Sequence, residues 1–370
     1  MGLGLTQALL QHRVDVVAVD CLAAPRLEER VSRVAIDARL SAPGAIGRPA
    51  VHGGVDVLNE DAVTALIARE RPDIVVNYAI PFTWDATREL PNYARISAAG
   101  LGAFAAVQVL APSTIARALE ASGVSAQLIV GNLPDITVPI IHGLASHQPL
   151  ALPVAGAGNV GLIEAGIRYY LARERGLDER DLDISLVAHH VHWVAPREPG
   201  YPNDAPFLLR VCHQGHDITG ELGSLREVMN NAIVAGYEAG AGFSSTTGLL
   251  AARLVLALLD HEAERAMHVP APNGLPGGYP VIVGGGAITP ALPDDWPIED
   301  AVACMQQAHQ RDGIERIGED GTIVFDSRSV AILREELGVE MPEVLAPADI
   351  EPFAKEQIRI AQAAVARVFA

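Results

Sequence analysis

The chain contains little cysteine, few aromatic residues and little positive charge. Its three cysteines, Cys21, Cys212 and Cys304, are odd in number and far apart, which argues against a disulfide framework and favours a reducing cytosol. Aromatic residues make up 5% of the 370 positions and charged residues 19%, whereas 49% are apolar, as in α/β proteins rich in alanine, valine and leucine. The 45 acidic residues outnumber the 27 basic ones, and the net charge of −18 disfavours nucleic acids and acidic membrane surfaces as partners.

The sequence also lacks a secretory signal, internal repeats and low-complexity segments. Met1 leads directly into an amphipathic helical pattern. The longest uncharged run covers residues 96–116, but Gln108, Pro112 and Ser113 within it favour a buried helix over a membrane span. A chain of 370 residues is long enough for two domains with separate cores. We therefore expect a two-domain cytoplasmic protein.

The first twenty residues combine a helix, a strand and an acid. Residues 2–11 are predicted to be helical, and residues 14–20 form an apolar strand pattern that ends in Asp20. This is the second half of a dinucleotide-binding unit, in which the acid binds a ribose hydroxyl and thereby favours NAD over NADP. Gly2 and Gly4 would lie against the cofactor phosphates. The first strand and the opening glycines of the unit are missing, so the chain is expected to begin inside the motif. The alternative is an ordinary helix–strand unit with a surface aspartate.

Strands and helices alternate up to residue 141. The predicted elements are at residues 51–57, 60–71, 73–79, 93–110, 114–122 and 127–131. Continuous apolar strands that alternate with helices predict a doubly wound parallel sheet of the Rossmann type, whose ligands lie beyond the carboxyl ends of the strands. Ala79, Ile80 and Asn132 lie at two such ends and are predicted cofactor contacts, although Asn132 could equally form a turn. The loop at residues 80–92 is a predicted mobile cover.

The pattern changes after residue 141. Residues 142–157 are rich in proline and glycine and are predicted to form a loop. Later helices and antiparallel strands predict a separate α+β substrate domain at residues 142–370, following an NAD-binding domain at residues 1–141. Its predicted elements are at residues 160–175, 184–193, 207–213, 224–239, 246–263, 279–284, 287–291, 298–311, 322–325 and 352–369.

The segment I-S-L-V-A-H-H-V-H-W at residues 184–193 contains the candidate catalytic groups. An extended strand would place His189 on one face and both His190 and His192 on the other. An imidazole titrates near neutral pH and can both accept and donate a proton, which suits a catalytic acid or base. For each histidine the alternative is a hydrogen-bonded core residue.

A hairpin between this strand and residues 207–213 would bring His190 and His192 close to Cys212 and His213, and these residues would form one His/Cys cluster with His216. Imidazole and thiolate are suitable ligands for transition metals. The spacing Cys-x-x-x-His beside His-x-His is not diagnostic of a metal site, so packing or substrate contacts are favoured and no metal is predicted. The cluster consists of His190, His192, Cys212, His213 and His216.

Six short motifs follow one another along the chain: Gly2…Asp20, D-I-V-V at residues 73–76, N-L-P-D at 132–135, G-L-I-E-A-G-I-R-Y at 161–169, D-I-S-L-V-A-H-H at 183–190 and A-G-F-S-S at 241–245. In this order they resemble motifs of the lactate/malate dehydrogenase superfamily, which also contains the NAD- and metal-dependent family 4 glycosidases. The resemblance implies an NAD-dependent enzyme in which His190 is the acid/base histidine. It also implies that Asn132 contacts the substrate oxygen and the cofactor, and that Ser244 and Ser245 contact the substrate.

Two positions depart from that family. The acid that orients the catalytic histidine would fall at Ile163, which leaves Glu164 as the nearest substitute, unless Glu164 only forms a helical ion pair with Arg168. The arginine that binds a 2-oxo acid carboxylate would fall at Gly166, which cannot form a bidentate ion pair. A plain lactate or malate dehydrogenase is therefore disfavoured. The Cys-His pair expected of the glycosidases is also absent.

We therefore predict an NAD-dependent oxidoreductase that acts on a secondary alcohol or carbonyl of a small molecule. His189 and His192 are alternatives to His190 as the acid/base group, with His189 otherwise a substrate contact. Arg197 is one candidate for binding a substrate anion, and the two serines could instead cap a helix. A homodimer is expected through apolar helices such as residues 246–259. The other possibilities are a hydrolase or lyase that uses bound NAD for transient oxidation, and a binding protein without redox activity.

Overall fold

The computed structural model describes the backbone of residues 1–42, 44–238 and 243–367, and their side chains except at 84–85, 237–238 and 243–245. The first half contains α1 (Gly2–Gln11), β1 (Val16–Asp20), α2 (Ala24–Ser41), β2 (Pro49–Gly53), α3 (Glu60–Glu70), β3 (Ile74–Asn77), α4 (Tyr93–Ser97), α5 (Ala105–Ser122), β4 (Gln127–Val130), α6 (Pro134–Leu144) and β5 (Pro153–Gly156). The second half contains α7 (Val160–Arg175), β6 (Leu182–Val187), α8 (His190–Val194), β7 (Leu208–His213), β8 (His216–Asp217), α9 (Leu225–Glu238), α10 (Phe243–Leu259), β9 (Arg265–Pro270), β10 (Gly278–Gly284), β11 (Ala287–Pro290), α11 (Ile298–Arg311), β12 (Ile314–Ile317), β13 (Ile323–Phe325), α12 (Ser327–Leu337), β14 (Val344–Leu345) and α13 (Ile350–Ala366).

Two parallel sheets form the first half. Strand β1 pairs with β2, while β3, β4 and β5 form a three-stranded sheet in that order. The crossovers contain α5 and α6, because parallel neighbours need a long connection that covers a face of the sheet. Residues 128–130 of β4 are fully buried, as their uninterrupted apolar run predicted. The predicted α/β architecture is confirmed. β1 and β3 therefore belong to separate sheets, and among the described residues no strand connects the two sheets by hydrogen bonds.

Residues 142–157 are not the loop that their proline and glycine content predicted. Helix α6 continues to Leu144, and β5 forms the outer strand of the three-stranded sheet. An edge strand tolerates Pro153, since only one side of such a strand must donate to the ladder. The predicted domain boundary at residue 141 thus falls inside α6, and the parallel sheet continues beyond it.

Two predicted helices are divided differently in the structure. Gly100, with φ of +81°, interrupts the first of them, whereas α5 runs straight through Pro112. A proline has no N–H for the carbonyl four residues earlier, and here the Gln108 carbonyl accepts from Asn132 Nδ2 instead, at 2.7 Å. Asn132 Oδ1 in turn accepts from Asn77 Nδ2 at 2.8 Å. Asn132 therefore joins the ends of β3 and β4 to α5.

In the part of the chain that the structure describes, one helical stretch, Leu101–Ser122, is long and apolar enough to cross a membrane. In the structure 89% of its apolar window is buried. Helix α13 packs against it, and Gln357 Nε2 donates to the Ala103 carbonyl at 2.9 Å. The stretch is the buried helix that the sequence predicted.

Gly100→Ala is expected to lower the free energy of unfolding by about 2–4 kcal/mol, because it combines overpacking with the strain of a backbone conformation that almost only glycine adopts, at φ of +81° and ψ of +156°. A Cβ at Gly100 would lie 2.3 Å from the Asp312 carbonyl oxygen. The matched control is Gly123→Ala, which also has positive φ but has no heavy atom within 4 Å of its Cβ. It should lose only about 1–2 kcal/mol. Urea unfolding compares the two, and equal losses would contradict the close approach to Asp312.

Antiparallel sheets form the second half: β6–β7–β8, β9–β10–β11 and β12–β13–β14. The predicted pairing of the histidine-containing segment with residues 207–213 is confirmed, since Leu182 lies opposite His213 and Val187 opposite Leu208. However, β6 ends at Val187, so the prediction of one strand through residue 193 is wrong. Beyond the strand, Ala188 bridges to Gly278 of β10.

The histidines form a short helix because their own ring nitrogens cap it. His189 Nδ1 accepts from Val191 N at 3.3 Å, and His192 Nδ1 accepts from His189 N at 3.0 Å. The pair forms a reciprocal capping box in which imidazoles replace the usual serine and glutamate. These bonds satisfy backbone N–H groups that a sheet would otherwise pair. His190 therefore lies in the first turn of α8 with its side chain buried in the interior, and not on the face of a strand.

The carboxyl-terminal elements pack on the parallel-sheet half. One buried apolar cluster combines α5, β4 and α6 with β13, α12 and α13. A second one combines α1, α7 and α10 with β6 and β10. Between the halves, Ser329 Oγ donates to the Ala99 carbonyl at 2.6 Å. This packing brings Asp312, which follows α11, next to His190 at the start of α8.

Candidate active site

His190 lies between two carboxylates in the interior of the molecule. Its Nδ1 is 3.2 Å from Asp135 Oδ2, and its Nε2 is 2.9 Å from Asp312 Oδ2. The histidine is 1% exposed, and both aspartates are 0% exposed. Both ring nitrogens of His190 therefore face an acid, and neither faces solvent.

Asp135 reaches His190 because the N-L-P-D turn starts α6 directly after β4. Leu133 adopts φ of +39°, and Asp135 lies in the first turn of the helix. Its Oδ2 also accepts from Asn159 Nδ2 at 2.6 Å. A carboxylate in a first helical turn is stabilised by the free N–H groups there. Asp135 is thus placed to orient the imidazole through Nδ1.

One carboxylate oxygen of Asp312 is hydrogen-bonded, and the other lies next to His190. Its Oδ1 accepts from the Tyr201 hydroxyl and from Leu101 N, the latter at 3.0 Å. Its Oδ2 approaches His190 Nε2 without the direction of a hydrogen bond, so both atoms lack a hydrogen-bond partner among the described residues. The contact is therefore electrostatic.

His189 and His309 pack around His190 and its two aspartates. The centre of the His189 ring lies 4.2 Å from that of His190 and 4.8 Å from that of His309. His309 Nε2 donates to the Asp135 backbone oxygen at 3.1 Å. His189 Nε2 has no hydrogen-bond partner among the described residues. The site thus contains three imidazoles and two carboxylates, all buried.

Burial and charge shift the pKa values of these groups in opposite directions. Burial lowers the pKa of His190, but the charge of Asp312 and the hydrogen bond to Asp135 outweigh it and raise that pKa to about 10. Burial and the neighbouring imidazoles lower the pKa of His189 well below its usual value. Burial and the charge of Asp312 raise the pKa of Tyr201 well above its usual value. The positive charge therefore belongs to His190, and His189 stays neutral.

Glu164 does not take the predicted role of orienting His190. Its Oε1 accepts from Arg168 Nε and Nη2, at 2.9 and 2.6 Å. Arg168 also donates to the carbonyls of Glu179 and Leu182. The two residues form the alternative that the sequence left open, a helical ion pair, which here ties α7 to the start of β6.

The predicted His/Cys cluster does not assemble. The antiparallel register places Cys212 opposite Asp183 and His213 opposite Leu182, at the start of β6. His190 follows the other end of that strand, about 17 Å away along its axis at the usual rise per residue. His192 is also separate from the site, because its Nε2 donates to the Ala205 carbonyl at 3.1 Å and burial lowers its pKa to about 4.

The predicted substrate contacts are not gathered around His190. Arg197 donates to the Trp193 carbonyl at 2.9 Å, and its guanidinium lies 4.6 Å from the centre of the Trp193 ring. The side chains of Ser244 and Ser245 lie outside the described residues. Of the predicted substrate contacts whose side chains the structure describes, His189 alone lies next to His190.

Three of the predicted cofactor residues, Asp20, Gly2 and Gly4, lie at the carboxyl end of β1 and at the start of α1. Asp20 ends this strand, and its Oδ1 accepts from Leu22 N at 3.0 Å. Gly2 and Gly4 lie in the first turn of α1, where a Cβ at Gly2 would meet no heavy atom within 4 Å. An open helix start and an acid at a strand end fit the phosphates and a ribose of a dinucleotide.

The other predicted cofactor residues follow the next parallel strands. Ala79 and Ile80 come directly after β3, and Ala79 N donates to Asn77 Oδ1 at 3.0 Å. Asn132 comes after β4. Its amide already serves the Gln108 carbonyl and Asn77, so its structural role is independent of any ligand.

A cavity of about 800 Å³ opens beyond the carboxyl end of β5, between α7, α10 and β9. Gly158 lines it, and the next residue, Asn159, donates to Asp135. The cavity and the buried histidine site therefore share one loop, although His190 itself does not line the cavity. Its polar lining includes Arg168, Ser185, Arg210, Arg253 and His268.

Sequence reasoning missed most partners of His190. Asp135 was inside a quoted motif, and its place in the first turn of a helix after a strand was an available signal. His309 and Asp312 stand three apart at the end of a predicted helix, a spacing that puts both on one side. Tyr201 and Asn159 lie in loops, where no local pattern indicates a partner.

Comparisons with known proteins give structural neighbours only. No family model and no curated protein matches the chain. Malate dehydrogenase from Plasmodium falciparum in complex with NADH superposes with a TM-score of 0.54 at 13% identity, over 83% of this chain and 91% of that one. Lactate dehydrogenase from Cryptosporidium parvum, complexed with lactic acid and nicotinamide adenine dinucleotide, gives 0.52 at 15% identity, over 84% and 93%. Malate dehydrogenase from Aeropyrum pernix gives 0.52 at 13% identity, over 84% and 94%. The chain therefore has a divergent form of the lactate/malate dehydrogenase fold.

Proposed function

We propose that the protein is an NAD-dependent oxidoreductase that interconverts a secondary alcohol and the corresponding carbonyl compound. The main support is the Asp135–His190 pair, 3.2 Å apart, directly beyond a parallel sheet of the dehydrogenase type. An imidazole held by a carboxylate at one nitrogen has a fixed orientation. Its other nitrogen, which faces Asp312 here, transfers the proton once a substrate oxygen lies between the two groups. Because Gly166 cannot bind a carboxylate, the proposed substrate is not a small 2-oxo acid.

His190 is proposed to handle the proton of the substrate hydroxyl. Oxidation of a secondary alcohol removes a hydride from carbon and a proton from oxygen, and NAD, when bound, takes the hydride. Asp135 holds Nδ1, so Nε2 is the nitrogen that exchanges this proton with the substrate oxygen. Nε2 accepts the proton only in the neutral form of His190, and the raised pKa favours the imidazolium, which donates it to a carbonyl oxygen. Asp312 lies beside Nε2 and stabilises the imidazolium. In the reverse direction the same nitrogen returns the proton to the carbonyl oxygen.

Substrate access requires a movement, because His190 is closed to solvent. The predicted cover at residues 80–92 contacts the segment that follows α8. Arg88 forms an ion pair with Glu198, and the Tyr93 hydroxyl donates to Glu198 at 2.6 Å. We propose that this cover opens when substrate enters, since loops that exclude water from a reaction commonly move in this way.

Asp20→Ala is expected to weaken NAD binding about ten- to a hundredfold, because each hydrogen bond between a carboxylate and a ribose hydroxyl contributes about 1.5–3 kcal/mol. Calorimetric titration with NAD and NADH measures the affinity. The control is Asp37→Ala, which removes an exposed acid from the neighbouring helix α2 without touching the strand end. Unchanged affinity in the Asp20 variant would remove this residue from the cofactor site.

The same titration separates the competing functions. If the wild-type chain binds neither NAD nor NADH, the oxidoreductase proposal fails. Tightly held cofactor without net conversion of any alcohol tested would favour a hydrolase or lyase that oxidises its substrate transiently. Reversible binding with net formation of NADH supports the dehydrogenase.

A homodimer and a cytosolic location are also proposed. Leu249 on α10 is 52% exposed and Leu3 on the adjoining α1 is 36% exposed, which gives an apolar patch suited to a second copy of the chain. The cysteines Cys21, Cys212 and Cys304 are all free, as in a reducing compartment. Sedimentation velocity tests the dimer, and fractionation of the source cells tests the location.

A further inference from the structure

Three potential metal ligands meet inside the molecule. One ring nitrogen of His189, one of His190 and a carboxylate oxygen of Asp312 lie within 4.8 Å of one another. Within this group, His190 Nε2 and Asp312 Oδ2 are 2.9 Å apart. All three residues are buried. Two imidazoles and one carboxylate are a common ligand set for divalent transition metals.

The inward-facing atoms of these residues are unsatisfied. His189 Nε2, His190 Nε2 and Asp312 Oδ2 have no hydrogen-bond partner among the described residues. A buried polar atom without a partner costs about 1–3 kcal/mol, and such atoms are rare in native proteins. In the described part of the chain, His189 Nε2 has no partner at all, and His190 Nε2 and Asp312 Oδ2 face only each other. The three residues offer ligand atoms that converge on one point, which fits one common partner. A cation satisfies all three at once.

The surroundings also fit a metal site. In such sites the second nitrogen of a ligating histidine usually donates to a carboxylate, and the ligating carboxylate is itself hydrogen-bonded. Asp135 Oδ2 lies at His190 Nδ1. Tyr201 and Leu101 N bind the second oxygen of Asp312. Only Nε2 of His190 and Oδ2 of Asp312 are therefore left to face the ion.

His189 must change its tautomer to take part. Its Nδ1 now accepts from Val191 N at 3.3 Å. Ligation through Nε2 moves the ring proton to Nδ1 and breaks this long capping bond. A helix cap contributes about 1 kcal/mol, which is small against the affinity of a buried site for zinc.

We propose that His189, His190 and Asp312 form a binding site for one divalent transition-metal ion of the zinc type. The site differs from the predicted His/Cys cluster and needs neither NAD nor substrate, so it does not rest on the proposed function. The ion and the proton are alternative occupants at His190 Nε2. A divalent ion polarises an alcohol or carbonyl oxygen, so ion binding would give the same site a second means of stabilising charge on a substrate oxygen.

The test is metal binding to the chelator-treated full chain, measured by calorimetry with Zn²⁺ and by the visible spectrum with Co²⁺. We expect one ion per chain and a Co²⁺ spectrum without a thiolate charge-transfer band, because no cysteine is among the ligands. Asp312→Asn keeps the shape and an acceptor for Leu101 N, and should weaken Zn²⁺ binding at least about a hundredfold. If this variant does not fold by circular dichroism, His189→Gln is measured instead, with the same expectation.

The matched control is His213→Gln, which changes a partly exposed histidine of the cluster predicted from the sequence. It should bind Zn²⁺ as tightly as the wild type. No stoichiometric binding by the wild type would overturn the proposal. So would a thiolate band that disappears in Cys212→Ser, since the ion would then lie at the β6–β7 hairpin. NAD titration of the same metal-free preparation shows separately whether the proposed function fails.

Discussion

His190→Gln is expected to lower the rate of NAD-linked oxidation by about a thousandfold, within the range typical for loss of a general acid or base. Glutamine can still reach Asp135, but it has no basic nitrogen to accept or return the proton of the substrate, and it offers no imidazole to an ion. The loss is therefore expected whether the proton or a metal occupies Nε2. Initial rates of NADH formation, on a secondary alcohol that the wild type oxidises, measure it.

The binding of NAD should survive this substitution, because the residues proposed to hold its phosphates and ribose lie at α1 and at the end of β1. His213→Gln serves as the matched control and should keep full activity. A His190→Gln enzyme with more than a tenth of the wild-type rate and normal NAD affinity would exclude His190 as the group that handles the proton.

The parallel sheet could be predicted from the sequence because its strands are short apolar runs between helices. β3 and β4 needed no tertiary information, since a strand covered on both faces has no polar positions to blur the pattern. β5 was missed because P-V-A-G has the composition of a loop. Its edge position makes Pro153 acceptable, and an edge position is a property of the assembled sheet.

The histidine segment shows a different limit. H-H-V-H after an apolar strand has the alternation of a continuing strand, and period-2 reasoning extended it to residue 193. The backbone turned instead into α8, because His189 and His192 cap the helix with their rings. Side-chain caps of this kind involve histidine rarely, so its sequence carried no warning. As a consequence, His190 faces Asp135 and Asp312 instead of the predicted Cys212 and His213.

The partners of His190 show why the site could only partly be predicted. The sequence predicted His190 as the acid/base group, and the motif that contains Asp135 was noted without a role for that residue. Asp312 and Tyr201 are 111 positions apart, and they meet only because the carboxyl-terminal elements pack on α5. Contacts over such separations are set by the fold as a whole, which single-sequence patterns do not describe.

Asp312→Ala is expected to lower the free energy of unfolding by about 3–5 kcal/mol, because it leaves a buried imidazolium without one of its two counter-charges. It also removes the acceptor of the Tyr201 hydroxyl and of Leu101 N. Together these losses approach the whole stability of many domains. Urea unfolding near neutral pH, with chelator present, measures the change in the ion-free chain.

Asp295→Ala provides the matched surface control. Asp295 forms an ion pair with Arg210 at 2.6 Å, but its side chain is 64% exposed, and exposed pairs contribute about 0–1 kcal/mol. The two substitutions remove the same side chain from pairs of similar length, so burial is the main difference between them. If Asp312→Ala cost no more than Asp295→Ala, His190 would be neutral in the folded chain. The imidazole would then need no counter-charge, and Asp312 would have to be kept for binding an ion or a substrate.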